Sequence, residues 1–84
     1  MTNNYFTSKA TAQKTMKANS YKKVSGCSDN DYNVALYINT STGASAVLKV
    51  YKNAKDKESD TLVKIFENSK DGKTCFEIIK GWMK

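Results

Sequence analysis

The side chains available for chemistry are lysines, tyrosines and a few clustered carboxylates; histidine is absent. General acid–base catalysis near neutral pH most often uses His, and serine or cysteine nucleophiles lean on it as their base. Carboxylates stand close together at Asp29/Asp31 and at Asp56/Glu58/Asp60. Both sets lie in turn and helix-cap contexts, where carboxylates have structural work. The glycines are scattered at 26, 43, 72 and 81, so there is no Gly-rich phosphate loop. Cys27 and Cys75 stand far apart, and two Cys without His cannot complete an ordinary zinc site. These features predict a protein that is not an enzyme and needs neither metal nor cofactor.

What remains is a basic surface. All the basic side chains are lysines, and the net charge is +6. Residues 1–28 contain Lys9, Lys14, Lys17, Lys22 and Lys23 and no acid, so five of the six net charges fall in the first third. Such asymmetry fits a nucleic acid, a nucleoprotein complex or an acidic protein partner. Its plain alternative is a set of solvated lysines that keep a small domain soluble. The candidate binding residues are Lys22, Lys23, Tyr37, Lys49, Tyr51 and Lys52, extended by Lys14 and Lys17. Tyrosines stack on bases and lysines meet phosphates. Lysine without Arg suits phosphate contacts that carry no sequence preference.

These residues need a scaffold, and the clearest one runs from Tyr32 to Tyr51. Apolar residues alternate through Tyr32, Val34, Leu36 and Ile38, then through Ala46, Leu48 and Val50, with a small polar loop between. This reads as a β-hairpin. Pairing Asn39 with Ser45 sets Leu36 against Leu48 and Val34 against Val50, with Asn33, Tyr37, Val47, Lys49 and Tyr51 as the second face. Ser8 is placed to cap a helix running to about Ala18, with a basic flexible arm over 1–20 as the alternative. Tyr21–Ser25 reads as a strand and Gly26–Asp31 as a loop.

The C-terminal half is read as helical. Asp60 or Ser59 caps a helix beginning at Thr61, with Gly72 as its stop; the competing reading makes Thr61–Phe66 a strand. Thr74 and Glu77 fit a capping box for a last helix with Cys75, Ile78, Ile79 and Trp82 as its stripe, while Phe76, Ile78 and Ile79 would equally suit a strand. Phe66, Phe76, Ile79 and Trp82 are expected to cover the sheet. The whole is a single α+β domain: about three antiparallel strands centred on 32–51, packed against C-terminal helices, with a short N-terminal helix. The N-terminus lacks a signal-peptide core and no apolar run is of membrane length. This predicts a cytoplasmic protein with no membrane partner and two free thiols.

The order helix, three strands, helix resembles that of double-stranded RNA-binding domains. Tyr21, Val24, Ser25, Tyr32, Val34, Leu36 and Ile38 stand where their first two strands would lie. That family opens its last helix with a Lys-Lys-x-Ala-Lys cluster; here Lys52-Asn-Ala-Lys-Asp-Lys57 is interrupted by Asp56. The Pro and His of the family's second binding loop have no counterpart in this chain, and no functional residue is carried over. In general character the chain is also similar to small phage or mobile-element proteins. Many of those, anti-CRISPR proteins among them, inhibit a host enzyme or nuclease by docking on it. That likeness implies a protein–protein inhibitor or regulator, with Tyr5, Phe6, Tyr37, Tyr51 and Trp82 as anchors where they are exposed.

Overall fold

A computed structural model describes residues 3–52 and 61–83. The elements run β1 (Asn3–Thr7), α1 (Lys9–Ala18), β2 (Tyr21–Ser28), β3 (Tyr32–Asn39), β4 (Ser45–Tyr51), β5 (Thr61–Phe66) and α2 (Ser69–Trp82). The strands form one antiparallel sheet in the order β1-β5-β4-β3-β2. β1 and β2 are therefore opposite edges, and α1, which joins them, crosses one face of the sheet. α2 covers the other face. The class is α+β as expected, but with five described strands instead of about three. One C-terminal helix, not several, packs on the sheet, and a strand precedes the N-terminal helix.

Each helix seals its own core. Ala12 and Met16, four apart on α1, pack with Ala46, Leu48 and Val63, flanked by Tyr21, Tyr37 and Ile65. On the other face Phe76 of α2 packs with Val34, Leu36 and Val47, flanked by Ile38, Phe66, Ile79 and Met83. The central strand β4 is consequently buried on both sides from Ser45 to Leu48.

This double burial explains a correction. Ile38 pairs with Ser45, Leu36 with Val47 and Val34 with Lys49, one residue out of step with the alternation-based register. A one-residue slip moves every side chain of a strand to the other face. Here the slip costs no burial, because Ala46 and Leu48 meet α1 while Val47 meets α2. The loop decides the register. Asn39 N–H donates to the Ala44 carbonyl at 2.8 Å, and Gly43 N–H returns to the Asn39 carbonyl at 2.9 Å. The Asn39 side chain accepts from the N–H groups of Ser41 and Thr42. Gly43 has φ of 78°, the left-handed region that glycine enters without strain.

Ser8 does cap α1, its hydroxyl accepting from Thr11 N–H at 3.2 Å. The strand after it continues to Ser28, beyond the expected loop start at Gly26. Thr61–Phe66 is a strand, not a helix. It lies between β1 and β4, where β-branched Thr61, Val63 and Ile65 fit a two-sided interior. The caps proposed at Ser59 and Asp60 lie outside the described residues. The last helix starts at Ser69, not at Thr74. Its cap is Asn68, whose side chain accepts from Asp71 N–H at 2.8 Å, and Asp71 favours the positive end of the helix dipole. Gly72 is not a stop but a docking point. It is buried within α2, where a Cβ would collide with Ser45. Ser45 Oγ in turn donates to the Asn68 carbonyl at 2.6 Å.

Candidate functional site

The expected Lys/Tyr surface is divided by the sheet. With the observed register, Tyr37 lies on the α1 face beside Ala46, whereas Lys49 and Tyr51 lie on the α2 face beside Val34 and Tyr32. Lys22 and Lys23 also part, since successive strand residues alternate: Lys22 sits opposite Ile38 and Lys23 opposite Tyr37. Lys14 and Lys17 are exposed on α1, away from the buried Ala12 and Met16. Lys52 is exposed just past β4, its N–H donating to the Asp31 carbonyl at 2.7 Å. Lys49, Tyr51 and Lys52 thus stay together; the other five are distributed elsewhere.

On the α2 face one row crosses all five strands: Phe6, Leu62, Lys49, Val34 and Cys27. The end of α2 covers the Cys27 side of this row, with the Cys27 thiol 3.4 Å from Met83 Sδ. The Phe6 side lies open. Trp82, in the last turn of α2, stands over a hollow of about 100 Å³ with Leu62, Lys49, Lys64 and Ile79. Trp82 is 79% exposed, Phe6 64% and Ile78 51%. The expected core role of Trp82 is therefore not observed. Phe76 and Ile79, six and three residues before Trp82, already fill that face.

The next row holds Tyr32 and Tyr51, with ring centres 5.6 Å apart and planes tilted by 54°. Lys49 Nζ lies 4.3 Å from the centre of the Tyr32 ring, within cation–π range. Asp29 sits at this end of the sheet, accepting from Tyr32 N–H and Asp31 N–H at 2.7 Å each. Those two backbone bonds hold its carboxyl below the usual range, and Lys52 and Lys49 add attraction. Asp29 therefore offsets part of the charge at Lys49 and Lys52. Lys64, on β5, acts electrostatically on the Cys75 thiol. The sequence reading missed Leu62 and Lys64 because it placed them in a helix; the β-branched run at 61–66 was the available signal.

The α1 face carries a second feature. Lys9 and Gln13 of α1 overhang β2, β3 and β4 and leave a groove of about 530 Å³, floored by Ala35, Leu48 and Val50. Lys23 and Tyr37 line it as well.

Both cysteines are free thiols, and burial pushes each thiol above its ordinary value of 9.0. Neither has the activated character of a nucleophile. Among the described residues no three His, Cys, Asp or Glu side chains gather in a metal-binding group, and no helix is long and apolar enough to cross a membrane. The class defined so far is an α+β protein with an antiparallel sheet between two helices. Compared with protein-family models, curated proteins and solved structures, the chain finds no match.

Proposed function

We propose that this is a small non-enzymatic binding protein whose α2-face platform takes single-stranded nucleic acid, free or within a nucleoprotein. One observation carries the reading: among the described residues Trp82 and Phe6 are the most exposed large hydrophobics and flank Leu62, with Lys49 on the neighbouring strand and Lys64 two residues along the same one. Exposed aromatic faces stack bases of any identity, and lysines follow the phosphates. Tyr51, 38% exposed, extends the aromatic row, and Lys52 extends the charge.

Trp82 is the sole tryptophan, so its fluorescence reports on the platform directly. Titration with single- and double-stranded DNA and RNA across a salt series is the test. Three lysines on a single strand predict log affinity falling with log salt at a slope of about −2. Trp82 should be quenched, and Trp82→Ala should weaken binding by about 1–3 kcal/mol. No binding at low salt, or binding untouched by Trp82→Ala, would overturn the reading.

A second reading shares the platform. Ile78 and Leu62 add aliphatic surface beside Trp82, which base stacking does not need but a protein contact does. In that reading the chain is an inhibitor or regulator of phage or mobile-element type that docks on a host enzyme or CRISPR nuclease. It is favoured if nucleic acid fails to bind and Trp82→Ala abolishes capture of an acidic protein partner.

A further inference from the structure

The groove on the α1 face lies on the side of the sheet opposite the Trp82 platform and has different chemistry. Among the described residues its charge is of one sign: Lys9 stands on the α1 wall and Lys23 on the β2 wall, and no described carboxylate lines it. Both lysines come from the first 28 residues, which contain no acid. An anion entering the groove therefore meets two ammonium groups.

The floor is shaped by small residues. Gly26 and Ala35 are paired across β2 and β3, leaving a flat, shallow place on the sheet. Gly26 has a further role. A Cβ there would come within 3.2 Å of Lys23 Cε and 3.5 Å of Lys23 Nζ, so the bare glycine lets the Lys23 chain lie over β2. The β-bulge between Lys23 and Ser25 makes this arrangement possible in an edge strand. It shifts the alternation so that Lys23 faces the groove while Cys27 still faces the α2 core. Beside the floor stands Tyr37, and the amides of Gln13 and Asn33 offer donors and acceptors at the rim.

We propose that this groove binds a mononucleotide. The planar base lies on the Gly26–Ala35 floor against Tyr37, its edge meets Gln13 or Asn33, and its phosphate takes Lys9 and Lys23. The volume of about 530 Å³ lies within the range of small-molecule sites. The ligand is a soluble nucleotide, held on the face opposite the Trp82 hollow.

The test is an amide-resolved NMR titration of the intact chain with AMP, GMP, CMP and UMP in separate samples. Adenosine and inorganic phosphate serve as further probes. At least one nucleotide should shift the amides of Gly26, Ala35 and Tyr37 and leave the Trp82 indole unmoved. Adenosine and inorganic phosphate should each bind more weakly than that nucleotide. Lys9→Ala and Lys23→Ala replace exposed side chains and should retain the fold, yet each should weaken binding about tenfold. Gly26→Ala should weaken it less, by displacing Lys23. Absence of shifts with all four nucleotides would overturn the proposal. So would inorganic phosphate binding as tightly as a nucleotide, shifts centred on Trp82, or full affinity in both lysine variants. Because Trp82 reports the other face, failure here leaves the platform reading separately testable.

Discussion

The ammonium nitrogen of Lys49 stands 4.3 Å from the centre of the Tyr32 ring. Their strands bring them together diagonally, since Tyr32 pairs with Tyr51 and Val34 with Lys49. The contact joins the middle of the sheet to the turn at residues 29–31, where Asp29 holds the Tyr32 N–H. It also keeps the Lys49 charge beside the platform that carries Trp82 and Phe6. The consequences can be measured.

Lys49→Ala should lower stability by about 0.5–1 kcal/mol, the value of a partly exposed cation–π contact. Urea unfolding reads this directly. A double-mutant cycle with Tyr32→Leu should return most of that loss as coupling energy. Additive losses would mean that Lys49 acts through other neighbours.

Gly72→Ala should destabilise by about 1–3 kcal/mol, because the new methyl meets Ser45 in a packed interface. Ser45→Gly removes the obstructing side chain along with its bond to the Asn68 carbonyl. The double variant should therefore be more stable than the sum of the two single losses implies. Thermal melts of the four proteins decide the point.

Thr61→Val should raise stability by about 1 kcal/mol. The Thr61 hydroxyl is fully buried and has no hydrogen-bond partner among the described residues. Valine has the same shape and branching and removes the unsatisfied group. An unchanged or lower denaturation midpoint would show that the hydroxyl is satisfied in solution.

Asp29 predicts a pH dependence. Its folded-state value lies below the ordinary 3.8, chiefly through the bonds from Tyr32 and Asp31. A carboxyl depressed by folding contributes stability above its unfolded value, and that stability is lost as pH falls through the folded value. Asp29→Asn should therefore flatten the acid limb of the stability curve below about pH 4. Urea midpoints of both proteins at neutral and acid pH measure the difference.

Much of the local structure was legible in the sequence. Ser8 specified its helix start, because a capping bond spans only three residues. The hairpin was legible for a similar reason: two apolar arms and a polar loop containing Gly43 are sequence-local. The spacing of Cys75, Ile78, Ile79 and Trp82 suited a helix but their types suited a strand as well, and the Thr74/Glu77 pattern misplaced the start of the helix that forms.

Tertiary structure decided the rest. The hairpin's register followed from the loop bonds around Asn39 and from a second helix that buries the other face of β4; alternation assumes one wet face. Thr61–Phe66 became a strand because β1 and β4 lie on either side of it, a long-range pairing that outweighed the charge pattern around it. Trp82 stayed outside because Phe76 and Ile79 had already filled the space over Val34 and Val47. The candidate site divided for the same reason. The types Lys and Tyr were evident in the sequence, but which of them share a face depends on a one-residue register and on the bulge beside Val24. Local hydrogen bonds and periodicity are written along the chain, whereas the sharing of faces is set by which distant elements compete to cover them.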